Sequence, residues 1–193
     1  SALSITVDTT APDQPSITTT TSLTNDSTPA IEGVAEAGST VTLFVDGETT
    51  GVTATADGTT GAYTIAPTEA LSDGAYALTV TATDAAGNIS DASDALSITI
   101  DATAPGKPSI ITTTSLTNDA TPTIEGIAEA GSTVELFNGD VSLGTTTADG
   151  TTGAYTITPA ELSDGDYSLT VTATDAAGNT SSASSALSIT VDT

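Results

Sequence analysis

The stretch LTVTATDAAGN runs from Leu78 to Asn88 and recurs, letter for letter, from Leu169 to Asn179. Extended two residues back to Tyr76, it alternates: Tyr76, Leu78, Val80 and Ala82 fall on one side of an extended chain, and Ala77, Thr79, Thr81 and Thr83 on the other. Period-two alternation of this kind specifies a β-strand with one face toward a core and one toward water. The strand runs straight into Asp-Ala-Ala-Gly-Asn, whose residues favour a tight turn. A unit of strand plus acidic turn, kept twice, predicts a small all-β sandwich present in two copies.

Other duplicated blocks set the length of the copy. TTTSLTND at Thr19–Asp26 returns at Thr112–Asp119, AEAGSTV at Ala35–Val41 returns at Ala128–Val134, and ADGTTGAYTI at Ala56–Ile65 returns at Ala148–Ile157. The spacing falls from 93 to 92 to 91 residues along the copy, one residue being lost in VDGETTG versus NGDVSLG and one in APTEALSDG versus TPAELSDG. Deletions that fall in turns leave strands intact. ALSIT occurs three times, at Ala2, Ala95 and Ala186. Residues 1–9 are therefore expected to be a closing strand of an upstream copy or a linker, with repeat 1 at 10–101 and repeat 2 at 102–193. Strands are expected near Ser16–Ser22, Ala30–Ala35, Thr40–Val45, Gly51–Thr55, Ala62–Ala66, Ala75–Thr83 and Ala95–Ile100, with equivalents in the second copy. No segment supports a helix longer than a turn.

Composition narrows the function. The 193 residues carry 25 acids against one base, Lys107, for a net charge of -24. Such a surface repels phosphate backbones and anionic headgroups, so nucleic acid and membrane insertion are not expected, while cations are attracted. Cysteine and histidine are absent. That removes disulfides and the usual zinc or copper ligands and leaves only an oxygen-ligated hard cation. Without histidine, no serine or threonine has its usual activating base, and no glycine-rich phosphate loop precedes a helix, so an enzyme is not expected.

LSDGAY (Leu71–Tyr76) and LSDGDY (Leu162–Tyr167) place a tyrosine two residues after an Asp-Gly turn, at the head of the long strand. This is the pattern of a tyrosine corner, whose phenol bonds to backbone upstream. With about seven short strands in about 90 residues, the reading is all-β: two tandem immunoglobulin-like β-sandwiches without a disulfide. The whole pattern, from TAPxxPSI through LTNDxTPxIEGxAEAGSTV and LTVTATDAAGN to ALSITxD, resembles the bacterial immunoglobulin-like repeat of very large surface adhesins, including type I-secreted, repeats-in-toxin biofilm adhesins. The resemblance covers both copies and implies an extracellular stalk at the bacterial cell surface whose modules are joined by calcium.

If the strands alternate in direction, LTND, VDGE and LSDG gather at one pole of a repeat beside Asp101, and EAGS, ADGTTG and DAAGN at the other. Stacked end to end, Asp26, Asp73 and Asp101 of the first copy would face Asp149, Asp175 and Asn179 of the second; Asp8, Asp84 and Asn88 are the corresponding residues one copy earlier. Unscreened carboxylates in such a cluster repel by several kcal/mol, and a Ca²⁺ ion, which takes 6 to 8 oxygens, would turn repulsion into a clamp. Asp84 and Asp175 continue the inward register of their strands and, with Asp101, are the leading ligand candidates. The alternative is ordinary turn chemistry, in which Asp84 accepts from the amides of Ala86 or Gly87. Pro105 and Pro108 favour a stiff link. The expected partners are neighbouring repeats of the same chain, and the fragment is expected to be monomeric. A ligand-binding module that recognises carbohydrate or protein through its pole loops is the other functional reading.

Overall fold

The computed structural model describes residue 3 and residues 5–193. The chain divides into two compact units, Ser1–Ala102 and Thr103–Thr193. The described residues form strands, turns and no helix.

Unit 1 contains β1 (Ser16–Ile17), β2 (Leu23–Thr24), β3 (Ile31–Val34), β4 (Thr40–Val45), β5 (Glu48–Thr55), β6 (Ala62–Ile65), β7 (Gly74–Thr83) and β8 (Leu96–Ile100). Unit 2 repeats the order with β9 (Ser109–Ile110), β10 (Leu116–Thr117), β11 (Ile124–Ile127), β12 (Thr133–Asn138), β13 (Val141–Thr147), β14 (Ala154–Ile157), β15 (Gly165–Thr174) and β16 (Leu187–Val191). Each unit is a two-sheet sandwich. In unit 1 the small sheet has the order β1-β3-β6 and the large one β2-β8-β7-β4-β5; in unit 2 they are β9-β11-β14 and β10-β16-β15-β12-β13.

The first strand differs from its expected single run, Ser16–Ser22. It breaks and changes sheets: β1 pairs antiparallel with β3, whereas β2 pairs parallel with β8. The break is made by threonine. The amides of Thr18 and Thr19 both donate to the Glu32 carbonyl, at 2.8 and 3.3 Å, and the Glu32 amide donates to the Thr19 hydroxyl at 2.8 Å. A side chain thus replaces one rung of the ladder and frees the next residues to cross over. Unit 2 does the same with Ile111, Thr112 and Glu125. The strand expected at Gly51–Thr55 also starts earlier, at Glu48. Asp46 and Gly47 both have positive φ, 51° and 83°, the conformation of a two-residue hairpin turn whose twist matches its strands. The tight turn lets pairing begin at once, Val45 opposite Glu48.

The long alternating strand behaves as read. Leu78, Val80 and Ala82 of β7 are completely buried, as are Leu169, Val171 and Ala173 of β15. They pack with Val41 and Leu43 of β4 and Ile98 and Ile100 of β8 against Ile31, Tyr63 and Ile65 of the small sheet, and unit 2 builds a separate core from the equivalent residues. Tyr76 and Tyr167, expected in the core, are only partly buried. Their hydroxyls donate to the carbonyls of Ser72 and Ser163 at 3.0 and 2.9 Å, which closes the tyrosine corner in both units.

Candidate functional site

Register fixes which loops share a pole. Gly74 and Thr24 both stand level with Ile100, so Asp73, Asp26 and Asp101 leave the large sheet at the same end of unit 1. The Asp46-Gly47 hairpin lies there too: the Ala77 amide donates to the Asp46 carboxylate at 2.8 Å. At the other end Thr40 is level with both Thr55 and Thr83, which gathers EAGS, ADGTTG and DAAGN. Unit 2 repeats this through Thr133, Thr147 and Thr174.

Each acidic loop is closed by its own aspartate. Asp84 Oδ1 accepts from the amides of Ala86 and Asn88 at 2.8 and 2.9 Å, and its Oδ2 accepts from Asn88 Nδ2 at 2.7 Å. These bonds, that of the Asn88 side chain foremost, hold the Asp84 carboxyl below the ordinary carboxylate value. Asn88 Nδ2 also donates to the Asp8 carbonyl at 3.2 Å, so Asp8, Asp84 and Asn88 are brought together in unit 1. Asp8 Oδ1 accepts from the Thr10 amide. In unit 2, Asp175 accepts from the Asn179 amide at 2.9 Å and from its side chain at 2.8 Å. Partial desolvation pushes that carboxyl up, but the hydrogen bonds outweigh it and the net direction is down.

The remaining candidates are also acceptors. Asp26 takes the Thr28 amide at 2.8 Å, and Asp73 takes the Ala102 amide at 2.8 Å. The Asp101 amide donates to the Thr24 carbonyl at 2.9 Å, tying the end of β8 to β2. Asp149 accepts from the amides of Thr151 and Thr152 and from the Thr152 hydroxyl, at 3.1, 2.8 and 2.8 Å, which lowers its carboxyl. Asp57 does the same in unit 1, chiefly through Thr60, and Asp164 accepts from the amide and hydroxyl of Thr193. The turn-chemistry alternative is therefore present at Asp84. Within either unit, among the described residues, no three acidic side chains converge closely enough to hold an ion. One unit's carboxylates as they stand do not supply the 6 to 8 oxygens of a calcium shell.

Two structural devices were not read from the sequence. In the segment before β8, Ser90 and Ser93 are 8% and 6% exposed. Each hydroxyl accepts from a β7 amide, Ala82 at 2.9 Å and Val80 at 3.1 Å, and donates to the next residue's carbonyl, that of Asp91 or Asp94. Ser181 and Ser184 repeat this against β15. The signal was the S-x-x-S spacing in ISDASD and TSSASS. The second device is a tyrosine laid over a glycine. Tyr63 of β6 is opposite Gly33 of β3, and its hydroxyl passes over to the Ser16 carbonyl of β1 at 2.9 Å; Tyr155, Gly126 and Ser109 repeat it. Burial pushes both phenols up to about 12.

The grooves on the units are shallow. One bounded by Gln14, Ser16, Ile17, Asp94 and Leu96 recurs in unit 2 with Lys107, Ser109, Ile110, Ser185 and Leu187. Neither pairs a nucleophile with a base. The pattern of the bacterial Ig-like domain matches residues 2–102 and again residues 109–193. The chain belongs to the bacterial Ig-like domain family. Among curated proteins, the two Ig-like repeats are 35% identical over 199 residues to exoglucanase B of Cellulomonas fimi, covering 96% of this chain and 17% of that protein. They are 34% identical over 151 residues to chitinase A1 of Niallia circulans, covering 72% of this chain and 19% of the relative. The chain thus spans under a fifth of the length of either. Among solved structures, the fibronectin(III)-like modules of Clostridium thermocellum CbhA align with 93% of this chain and 94% of theirs, at TM-score 0.59 and 13% identity. A tetra-tandem repeat from the extending region of a large adhesion protein aligns with 93% of this chain and 49% of its own, at TM-score 0.37 and 25% identity.

Proposed function

We propose that the two Ig-like repeats are extender modules of a large bacterial cell-surface adhesin, exported from the cell and projecting a distal adhesive domain for attachment or biofilm formation. The observation that carries this reading is repetition at the level of hydrogen bonds. Each unit closes on its own core, and the second unit repeats the crossover threonine, the tyrosine corner, the paired serines and the self-capped acidic loops of the first. Modules that are complete in themselves and interchangeable suit length, because copies add reach without sharing a core. Neither catalysis nor an aromatic sugar platform competes for their surface: there is no histidine or tryptophan, and the buried tyrosines are spent on Ser16 and Ser109.

Calcium belongs to this proposal as a stiffener. Since no unit gathers three acids, an ion needs main-chain carbonyls and water beside donors such as Asp101, Asp175 and Asn179. The relatives named an exoglucanase and a chitinase favour a second reading, a spacer within a polysaccharide-degrading enzyme. The experiment is small-angle scattering on the two-repeat chain and on a four-repeat tandem, with and without calcium, alongside sedimentation with cellulose and chitin. Extension that grows in proportion to copy number, with no polysaccharide binding, is expected. Binding to either polysaccharide, or a compact four-repeat species, would overturn the extender reading.

A further inference from the structure

The eight residues ALSITVDT at Ala2–Thr9 are identical to Ala186–Thr193, the stretch that contains β16. The two copies have opposite surroundings. Ile189 and Val191 are 2% and 1% exposed in the core of unit 2, whereas Leu3, Ile5 and Val7 are 83%, 74% and 80% exposed. Three apolar side chains on one face of an extended segment, with nothing over them, form the inner face of a strand without a sandwich.

The seat such a strand needs is defined by β16. It lies antiparallel to β15, with Tyr167 opposite Ile189 and Gly165 opposite Val191, and parallel to β10, with Leu116 opposite Thr190. Polar hooks secure its end: the Thr190 hydroxyl donates to Asp166 Oδ1 at 2.6 Å, the Asp192 amide to the Thr117 carbonyl at 3.0 Å, and the Thr193 amide and hydroxyl to Asp164 Oδ1 at 3.0 and 2.8 Å. Thr6, Asp8 and Thr9 carry the same groups in the same order. The leading segment can therefore make every contact that β16 makes, core and hooks alike.

We infer that residues 2–9 are an exchangeable closing strand whose partner is unit 2 of a second copy of this chain, where they take the place of β16 between β15 and β10. Contact for contact the exchange is neutral, because the two strands are the same sequence. The strand already attached to unit 2 has the higher effective concentration, so it holds the seat in the intact chain. When it is lost, the segment from another molecule replaces it, and a head-to-tail contact between chains results.

The absence of cysteine gives a clean readout. An acceptor, the full chain with Asp166→Cys and with Ile189→Asp and Val191→Asp to evict its own strand, is mixed with a donor, the full chain with Thr6→Cys. Mild oxidation should give the cross-linked heterodimer in about tenfold or greater excess over the same mixture with a donor also carrying Ile5→Asp and Val7→Asp. A second acceptor keeps native β16 and Asp166→Cys but is cut after folding at a protease site placed in the Ser182–Ser185 loop, so its folding is not in question. Equal cross-linking by native and Asp-substituted donors overturns the inference. So does cross-linking by a synthetic Ser1–Thr9 peptide bearing Thr6→Cys but not by the donor chain, since the seat would then accept the strand but the attached segment could not reach it. No cross-linking with either acceptor also overturns it.

Discussion

Replacing Gly33 by alanine tests the packing that holds the small sheet of unit 1 together. A Cβ at Gly33 would land on the Ser16 carbonyl oxygen and on the Tyr63 ring and hydroxyl. Neither neighbour can give way cheaply: the first is backbone in β1, and the second is a buried ring whose hydroxyl is committed to that same carbonyl. To make room, β1 must lift from β3 or Tyr63 must leave its seat. Overpacking a filled site costs about 1–3 kcal/mol, and losing the Tyr63 hydrogen bond adds about 1 kcal/mol, so a loss of about 3 kcal/mol is expected. At about 4–8 °C per kcal/mol for a domain of this size, unit 1 should melt roughly 12–24 °C lower. Calorimetry on the whole chain should show one transition moving away from the other, and Gly126→Ala should move the other in its turn. Gly58→Ala is the control, as its Cβ would meet nothing within 4 Å. If Gly33→Ala shifts neither transition by more than Gly58→Ala does, the account of Tyr63 bridging over a glycine is wrong.

Tyr76→Phe should lower the stability of unit 1 by about 1 kcal/mol, since the Ser72 carbonyl loses its donor; an unchanged denaturation midpoint would remove the corner's role. Ser90→Ala leaves the Ala82 amide without its acceptor in a buried position and should cost about 1–3 kcal/mol, with faster hydrogen exchange at Ala82 as the local check. Tyr63 and Tyr155 have folded values near 12, above their unfolded value of 10. The protonated phenols therefore stabilise the fold fully below pH 10, and that stability declines from pH 10 to 12; Tyr63→Phe should flatten the decline for unit 1 in a pH series of melts. In chelator and low salt the acidic chain should melt at lower temperature than in calcium, and sodium chloride should restore only part of the loss. Asp101→Ala should weaken calcium binding by calorimetry more than Asp91→Ala, and equal effects would reduce calcium to charge screening.

The large sheet was legible because its strands alternate without interruption. Tyr76 to Thr83 and Val41 to Val45 carry their faces in the letters themselves, and the deletions between copies fall next to turns. What period-two reading could not locate was pairing made by side chains. The crossover at Thr19 lies inside a threonine run that reads as continuous strand, yet one hydroxyl there substitutes for a backbone rung. Ser90 and Ser93 lie in a stretch that reads as loop, yet their hydroxyls continue the ladder of β7. The Gly33–Tyr63 pair was hidden because its partners are 30 residues apart and only the strand register brings them level. At the poles, the acidic loops were grouped correctly from alternating strand direction, while the number of amides each aspartate accepts from its own loop depends on backbone conformation and became visible only in the fold.

The two repeats also separate the local task of an acid from its charge. At the β4–β5 hairpin, Asp46 accepts the Ala77 amide at 2.8 Å; at the shorter β12–β13 hairpin, Asn138 accepts the Ser168 amide at 3.1 Å. One site keeps the acceptor and drops the charge, so the amide needs an oxygen there and not an anion. In the DAAGN and ADGTTG loops both copies keep aspartate, and each of those carboxylates accepts at least three hydrogen bonds, which lower it from its ordinary value. An ionised oxygen accepts more strongly than an amide oxygen, and the loops that converge several amides on one atom are those that keep it. Asp84→Asn and Asp149→Asn should therefore each lower the melting temperature of their own unit, although each removes a charge from a chain already at -24. Asp46→Asn should leave it unchanged or raise it slightly. Thermal melts of the three variants at low ionic strength check the ordering. A rise for all three would mean that self-repulsion, and not loop closure, governs the stability of the poles.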